Sequence, residues 1–474
     1  MSQTDFRPVT LEEMLNARER RALAQQQMLL RHQLPLICFT LNLAGPDKRY
    51  PLADRAFAEG TMLILEQLNR SRLTPAAKSE VREVTGCELM LAVDAPAPLL
   101  KEIMTQIEEG SPLGRLFDID VLDTRGQKVS RTQLGGSGRR CLICGKDAFV
   151  CARSRAHSVE LLRQRTEEII TDYFDSALCD QVAAMAVRSI LYEVSVTPKP
   201  GLVDRANSGS HQDMDFFTFI DSTSALLPYF RQVTRLGLAH STQDVAFLFA
   251  KLRWPGMQAE DAMFCATGGI NTHKGAIFSL GIVCAALGYL AGQNKPWTPE
   301  NVGAVTAAMT APTVLADFTR PHAPGKETFG QRLYHETGIT GIRGEVAEGF
   351  PSVINHSLPV LRRLLNSGKS ANEAGALTLL HLMAHVSDTN IISRSSLKRQ
   401  QQLQQELKER LSLGEPTLQA IAELDRNLIA ENLSPGGCAD LLAVTFLLHF
   451  AAEADRPTPF GNTGQFLKCF CDSQ

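Results

Sequence analysis

Several features that would place a chain at a glance are missing from this 474-residue sequence. It has no unbroken apolar run of about 18 residues, the length that a membrane-spanning helix requires. Its opening, MSQTDFRPVTLEEML, carries acidic residues where a secretory signal needs a basic stretch and an apolar run. It has no large surplus of either charge. Against 48 Lys and Arg stand 51 Asp and Glu, a formal net of -3, which argues against a uniformly basic nucleic-acid binder. No internal repeat and no low-complexity tract interrupts it. Eleven cysteines, an odd number scattered along the chain, read as reduced thiols of a cytoplasmic protein rather than as a disulfide framework. With 44% hydrophobic and 21% charged residues, wholesale disorder is excluded, and the length suits about two to four domains.

What is present divides into two unlike halves. Residues 1–170 alternate helical and extended patterns. Thr10 and Glu13 form a capping-box pattern ahead of a long amphipathic helix. PLICFTLNL (35–43), CELMLAVDA (87–95) and FDIDVLD (117–123) read as strands, with helices over 56–69 and 98–109. That alternation predicts a small α+β domain. From about residue 176 onward, Ala/Leu-rich segments at helical spacing are separated by polar, Gly- and Pro-marked loops. Residues 171–474 are therefore expected to form an all-α helical bundle, two-layered or built round a central helix. Segment 160–178 reads as a connecting helix. Residues 125–165 hold ten basic residues against two acidic ones. This is either a solvated face or a dock for a polyanion or an acidic protein.

Chemistry-bearing residues gather in the loops. Asp118 and Asp120, two apart on a strand, share one face, and such a pair suits Mg²⁺ with phosphate; Arg115 just before them offers a phosphate contact. Cys141, Cys144 and Cys151, with His157 beyond, have irregular zinc spacing and no second C-x-x-C, so thiols packed beneath an arginine-rich surface are the plainer expectation and structural zinc the alternative. In TPKPGLVDR, Pro198 and Pro200 are expected to present Lys199 on a stiff loop, with Asp204 and Arg205 behind. His211, Asp213 and Asp215 follow as a polar cluster for metal or acid–base work. GGINTHKG lacks the Walker register but places Gly268, Gly269, Asn271, His273 and Lys274 at a helix start, where phosphates bind. Arg343 and Glu345 lie in GIRGEVAEGFP; Asp388, Asn390 and Arg394 lie in DTNIISR. His381, on the preceding apolar helix, reads as a core histidine. Ser434, Pro435, Gly436, Gly437 and Asp440 mark another helix start. Capping explains any one of these loops alone. Five of them on apolar helices predict convergence on one polyanion.

Taken together, TPKPGLVDRANSGSHQDMD, TGGINTHKGAIFSLG, GIRGEVAEGFP, DTNIISR and LSPGGCADLLA resemble the triphosphoribosyl-dephospho-CoA synthase family over about residues 180–450. LNARERR, TLNLAGPDK, GRLFDIDV and GRRCLICGKDAFVCARSRAH resemble the citrate lyase holo-acyl-carrier-protein synthase family. The whole looks like a fusion of the two. The resemblance implies that the second half joins ATP and 3′-dephospho-CoA with release of adenine. It implies that the first half transfers the product, less diphosphate, to a serine of the citrate lyase acyl carrier protein. It also implies that the first half is nucleotidyltransferase-like.

On that footing Lys199, Lys274, Arg115, Arg343, Arg394, Asn271 and the glycines 268, 269, 436 and 437 are expected to bind nucleotide. Asp118, Asp120, Asp213 and Asp440 are expected to hold Mg²⁺. Asp118, Asp120, Asp204, His273, Lys274, Glu345 and Asp388 are the expected catalytic set, with His211 as a second proton carrier. No nucleic acid or membrane partner is expected. Two other classes stand beside this reading: a nucleotidyltransferase acting on nucleic acid with a helical binding module, and a non-catalytic scaffold of the lyase complex.

Overall fold

The computed structural model describes residues 6–131, 138–319 and 329–454. The chain divides between Asp175 and Ser176 into two units.

In the first unit, α1 (Leu11–His32) starts from the capping box of Thr10 and Glu13. The elements β1 (Leu36–Leu41), α2 (Pro51–Arg70), β2 (Pro75–Glu83), β3 (Gly86–Val93), α3 (Ala97–Glu109) and β4 (Phe117–Leu122) follow. The four strands form one antiparallel sheet in the order β2-β3-β1-β4. Strand β3 is apolar on both faces because both are covered. Cys87, Leu89, Leu91 and Val93 join a core with Phe57 and Ile64 of α2 and with Leu100 and Met104 of α3. Met90 and Ala92 face Ala24, Met28 and Leu29 of α1. Strand β2 reads PAAKSEVRE and has no apolar alternation. It survives as an edge strand, where Lys78 and Arg82 both pair with Glu80. A short helix α4 (Ala148–Ser154) precedes α5 (Val159–Ser195). The predicted connecting helix is thus the first part of one 37-residue helix.

The second unit is helical: α6 (Phe216–Ala225), α7 (Leu227–Ala239), α8 (Ala246–Thr267), α9 (Lys274–Gly292), α10 (Pro299–Thr319), α11 (Phe329–Thr337), α12 (Gly341–Ala347), α13 (Leu358–Asn366), α14 (Ala371–His385), α15 (Thr389–Arg394), α16 (Leu397–Ser412), α17 (Leu418–Ala430) and α18 (Gly436–Ala454). Helix α9 is the central member, apolar nearly all round and buried from Ser279 to Leu290 without a break. It and α18 are long and apolar enough to cross a membrane, yet here both lie largely inside the unit. Close packing of α7 on α9 rests on glycine. A Cβ at Gly237 would overlap the Ala285 carbonyl, and one at Gly288 the Thr234 carbonyl. The burial of α9 leaves its polar N-terminus as a fixed point around which loops can gather.

Candidate active site

Five segments of the helical unit meet in one cavity of about 540 Å³: the loop between α5 and α6, the turn entering α9, the start of α15, the start of α18 and, through Ile342 alone, the start of α12. Each is held by its own hydrogen bonds.

In the first loop, Asp204 accepts from the amides of Lys199 (3.0 Å) and Asn207 (3.0 Å). Asp425 accepts from the Gly201 amide and the Asn207 side chain, both at 2.9 Å. Asn372 clasps Thr197 through both its backbone groups. The result turns Lys199 inward. It lines the cavity as a buried ammonium donating to Glu193 of α5, rather than standing out on a stiff loop. Burial pushes the Glu193 carboxyl above the ordinary range, and Lys199 opposes that shift. His211 lines the wall with its Nε2 3.1 Å from the Ser434 hydroxyl, and exposed Asp213 lies at 3.8 Å from its other nitrogen. Burial, and then the Arg394 charge, lower the His211 pKa. Asp215 caps α6, where its carboxylate accepts from the Thr218 amide at 2.9 Å.

At the α9 turn, Gly268 and Gly269 have φ of 67° and 95° and end α8 in a left-handed cap. The cavity wall begins two residues later. His273 is the N-cap of α9, and Asn271, two residues before it, accepts from the Lys274 amide at 3.3 Å. Lys274 stands exposed, paired at 2.8 Å with Glu260. His273 is 3% exposed and takes its place in a chain of three. Thr272 donates to Ser222 at 2.7 Å, and Ser222 lies 2.7 Å from His273 Nδ1. Ser222 accepts from Thr272, and among the described residues its own proton has no hydrogen-bond acceptor other than Nδ1, so it goes there. The imidazole is thereby fixed as the Nε2–H tautomer. That Nε2 is buried without a hydrogen-bond partner, and the residue lines the cavity. Burial, and then the Lys199 charge, lower the His273 pKa to about 3, so the ring is neutral.

Opposite, α18 brings Asp440 to the wall. A Cβ on Gly275 would overlap an Asp440 carboxylate oxygen, so the glycine lets this acid press against the start of α9. Burial, and then Glu193 and Asp388, raise the Asp440 carboxyl well above its ordinary pKa. Gly436, Gly437, Asn390 and Arg394 complete the rim. Arg394 donates to the Ser210 carbonyl (3.1 Å) and to Asn432 (3.2 Å).

Three predicted residues stand behind this wall. Asp388 is buried and accepts from the amides of Asn390 and Cys438, each at 2.8 Å, which staples the starts of α15 and α18 together. A Cβ on Gly437 would come within 3.1 Å of it. Glu345 accepts from the amide and hydroxyl of Ser352, and Asp204 holds its loop. Arg343 lies 3.7 Å from Asp317 in a separate cleft of about 220 Å³. His381 is half-buried outside the cavity. Sequence reasoning missed Glu193, Ser222, Thr272, Asn372 and Asp425. Only Glu193 left a signal: an acid on the last turns of an apolar helix.

The first unit has a cavity of about 900 Å³, lined by Arg115, Arg131, Arg139, Arg140 and Arg155 among others. Arg139 and Arg131 are both drawn to Glu108. Asp118 and Asp120 share a face of β4, opposite Thr40 and Cys38 of β1. Each already has a cation, Arg139 at 3.2 Å and Lys128 at 2.6 Å.

Comparison with known proteins matches residues 179–458 to the model of the ATP:dephospho-CoA triphosphoribosyl transferase family. Residues 9–173 match that of the apo-citrate lyase phosphoribosyl-dephospho-CoA transferase family. A curated relative from Haemophilus influenzae, "Protein CitXG", is 34% identical over 94% of this chain and 97% of its own. One of the same name from Leuconostoc mesenteroides subsp. cremoris is also 34% identical, over 93% and 97%. A 2-(5''-triphosphoribosyl)-3'-dephosphocoenzyme-A synthase of Pectobacterium atrosepticum is 40% identical over 61% of this chain and 95% of its own.

Proposed function

We propose a division of labour for this chain, which belongs to the family that fuses an apo-citrate lyase phosphoribosyl-dephospho-CoA transferase to an ATP:dephospho-CoA triphosphoribosyl transferase and is a bifunctional transferase. The helical unit joins ATP and 3′-dephospho-CoA into 2′-(5″-triphosphoribosyl)-3′-dephospho-CoA and releases adenine. The first unit transfers the phosphoribosyl-dephospho-CoA part to a serine of the citrate lyase acyl carrier protein and releases diphosphate. Both steps take place in the cytoplasm.

The observation that carries the first step is the convergence of cations and acids on one cavity. In that step the bond from ribosyl C1 to adenine breaks and a bond to a ribose hydroxyl of dephospho-CoA forms. The hydroxyl proton is the one that adenine finally carries. Positive charge develops at the ribosyl carbon, and a nearby carboxylate stabilises it. Asp440 is placed for that task; burial raises its pKa, so it must first give up its proton, which positive charge beside it favours, and the carboxylate can then take the hydroxyl proton. Lys274 and Arg394, exposed at the rim, hold the triphosphate. His273 donates a hydrogen bond from Nε2 to the adenine or ribose as a neutral group.

Among the described residues no three acids or histidines of this cavity cluster closely enough to form a metal cage. Mg²⁺, however, needs only one or two carboxylates when substrate phosphates supply the rest. Asp440, with Asp213 at the mouth, fits that demand. Bound there, Mg²⁺ would neutralise phosphate charge. Asp118 and Asp120 fit less well, since a metal would have to displace Lys128 and Arg139. Their shared face on β4 is what supports a nucleotidyltransferase-like reading of the first unit.

Adenine release from ATP and dephospho-CoA tests the assignment. Asp440→Asn and Lys274→Ala should each slow it at least about a hundredfold, the scale of a lost acid–base or charge-stabilising group. Unchanged rates in both would refute the site.

A further inference from the structure

In the first unit, the loop at residues 141–157 has a feature that the two reactions do not call for. Cys141, Cys144, Cys151 and His157 bring their Sγ and ring-nitrogen atoms within 4.8 Å of one another. Cys144 Sγ lies 3.5 Å from Cys151 Sγ and 3.4 Å from His157 Nε2. We propose that these four side chains hold a structural zinc ion.

The dimensions fit the ion. A tetrahedral zinc with Zn–S of about 2.3 Å and Zn–N of about 2.0–2.1 Å has S···S edges near 3.8 Å and S···N edges of about 3.6 Å. The two short separations here reach those values by shifts of a few tenths of an ångström. Four protein ligands fill the tetrahedron, which marks a structural rather than a catalytic site.

The backbone is arranged for the same purpose. Cys141–Lys146 forms a tight knuckle: the Gly145 amide donates to the Cys141 carbonyl at 3.1 Å, and the Cys141 amide to the Lys146 carbonyl at 2.6 Å. Gly145 adopts φ of 70°, which a side chain rarely permits. The amides of Cys144 and Ile143 point at the Cys141 sulfur, which holds it inside the knuckle. Asp147 then caps α4 through the amides of Phe149 and Val150, and α4 carries Cys151 inward. Arg155, with φ of 49°, ends α4 and returns the chain so that His157 closes the set.

Burial supplies the need for a clasp. Between residues 141 and 157 only Cys141 and Cys151 are buried, while Phe149 and Val150 are exposed. A segment that removes so little apolar surface from water does not hold a fold by packing, and metal coordination supplies the missing free energy. The clasp also has work to do. Its residues Arg140 and Arg155, and neighbouring Arg139, line the 900 Å³ cavity together with Cys141, Cys151 and His157. Arg115 donates to the carbonyls of Arg140 (3.3 Å) and Cys141 (3.2 Å), so the knuckle orients that guanidinium too. The zinc thus sets the arginines that would face the polyanionic donor; this consequence rests on the proposed transfer reaction, whereas the metal site rests on geometry alone.

Metal analysis of the full-length protein, purified with reductant and without chelator, tests it. One zinc per chain is expected. Cobalt exchanged for it should show thiolate-to-metal charge transfer and the strong visible bands of a tetrahedral site. Cys144→Ser should lose the metal, and Cys265→Ser, at an exposed thiol of the helical unit, should keep it. Trypsin digestion of the wild-type protein gives a second readout that does not depend on the folding of the ligand variant. Stripping the metal should open cleavage within residues 139–155, and adding zinc should close it. A folded wild-type protein that contains no zinc, takes none up on titration and is cut identically with and without it would overturn the site. Adenine release is the control that separates this outcome from failure of the functional reading.

Discussion

His273 shows how much a single residue's setting decides. In the sequence it stands beside Lys274 in a glycine-marked turn and invites a role as proton carrier. In the fold it is buried, locked by Ser222 and Thr272 as an Nε2–H donor, and neutral. Its folded pKa of about 3 lies below the ordinary 6.5. Unfolding therefore takes up a proton between those values, and the folded state loses stability as pH falls from about 6.5 towards 3. We predict that His273→Gln destabilises the helical unit at pH 7. The same change should reduce the further loss between pH 6.5 and 5 by about 2 kcal/mol, one proton over that interval. Denaturant melts of the helical unit at the two pH values measure it, and parallel curves for wild type and variant would contradict the buried neutral ring. Ser222→Ala removes the group that sets the tautomer. It should slow adenine release about tenfold, the equivalent of one hydrogen bond lost in the transition state, and should cost about 1–3 kcal/mol of stability, because His273 Nδ1 is left buried without a partner.

Among the elements, the ones legible in the sequence were those with a local signal. The capping box of Thr10 and Glu13 marked α1, and runs of Ala and Leu marked α9, α14 and α18. Strand β2 was not legible, because an edge strand with Lys78, Glu80 and Arg82 has no apolar period to read. It exists because β3 offers it a partner. The loop residues were legible as a set but not in their roles. Whether an aspartate caps a helix, as Asp388 does, or walls a cavity, as Asp440 does, depends on which distant helix arrives opposite it, and spacing along the chain carries no record of that. Asp204 and Asp388 accept several backbone amides and shape the loops, so their removal should cost stability as well as turnover. The glycines of α7 and α9 give a cleaner element-scale prediction. Gly288→Ala forces a methyl against the Thr234 carbonyl and should cost about 1–3 kcal/mol through separation of the two helices. Calorimetry of the purified variant checks this, and an unchanged melting temperature would mean that α7 and α9 do not pack as closely as described.

Over the whole molecule, two units of unlike architecture carry two sites of unlike character. The helical unit concentrates buried acids and cations round the start of α9. The first unit presents arginines round a cysteine-rich knuckle. In the proposed division of labour, Asp440 serves the first reaction and has no part in the second. The intact mass of the citrate lyase acyl carrier protein, taken after incubation with the full chain, ATP, Mg²⁺ and dephospho-CoA, tests this directly. Wild type should add one phosphoribosyl-dephospho-CoA group; Asp440→Asn should add none, yet should regain the full mass increment when triphosphoribosyl-dephospho-CoA is supplied ready-made. A carrier modified by Asp440→Asn at the wild-type rate from ATP and dephospho-CoA would contradict the account.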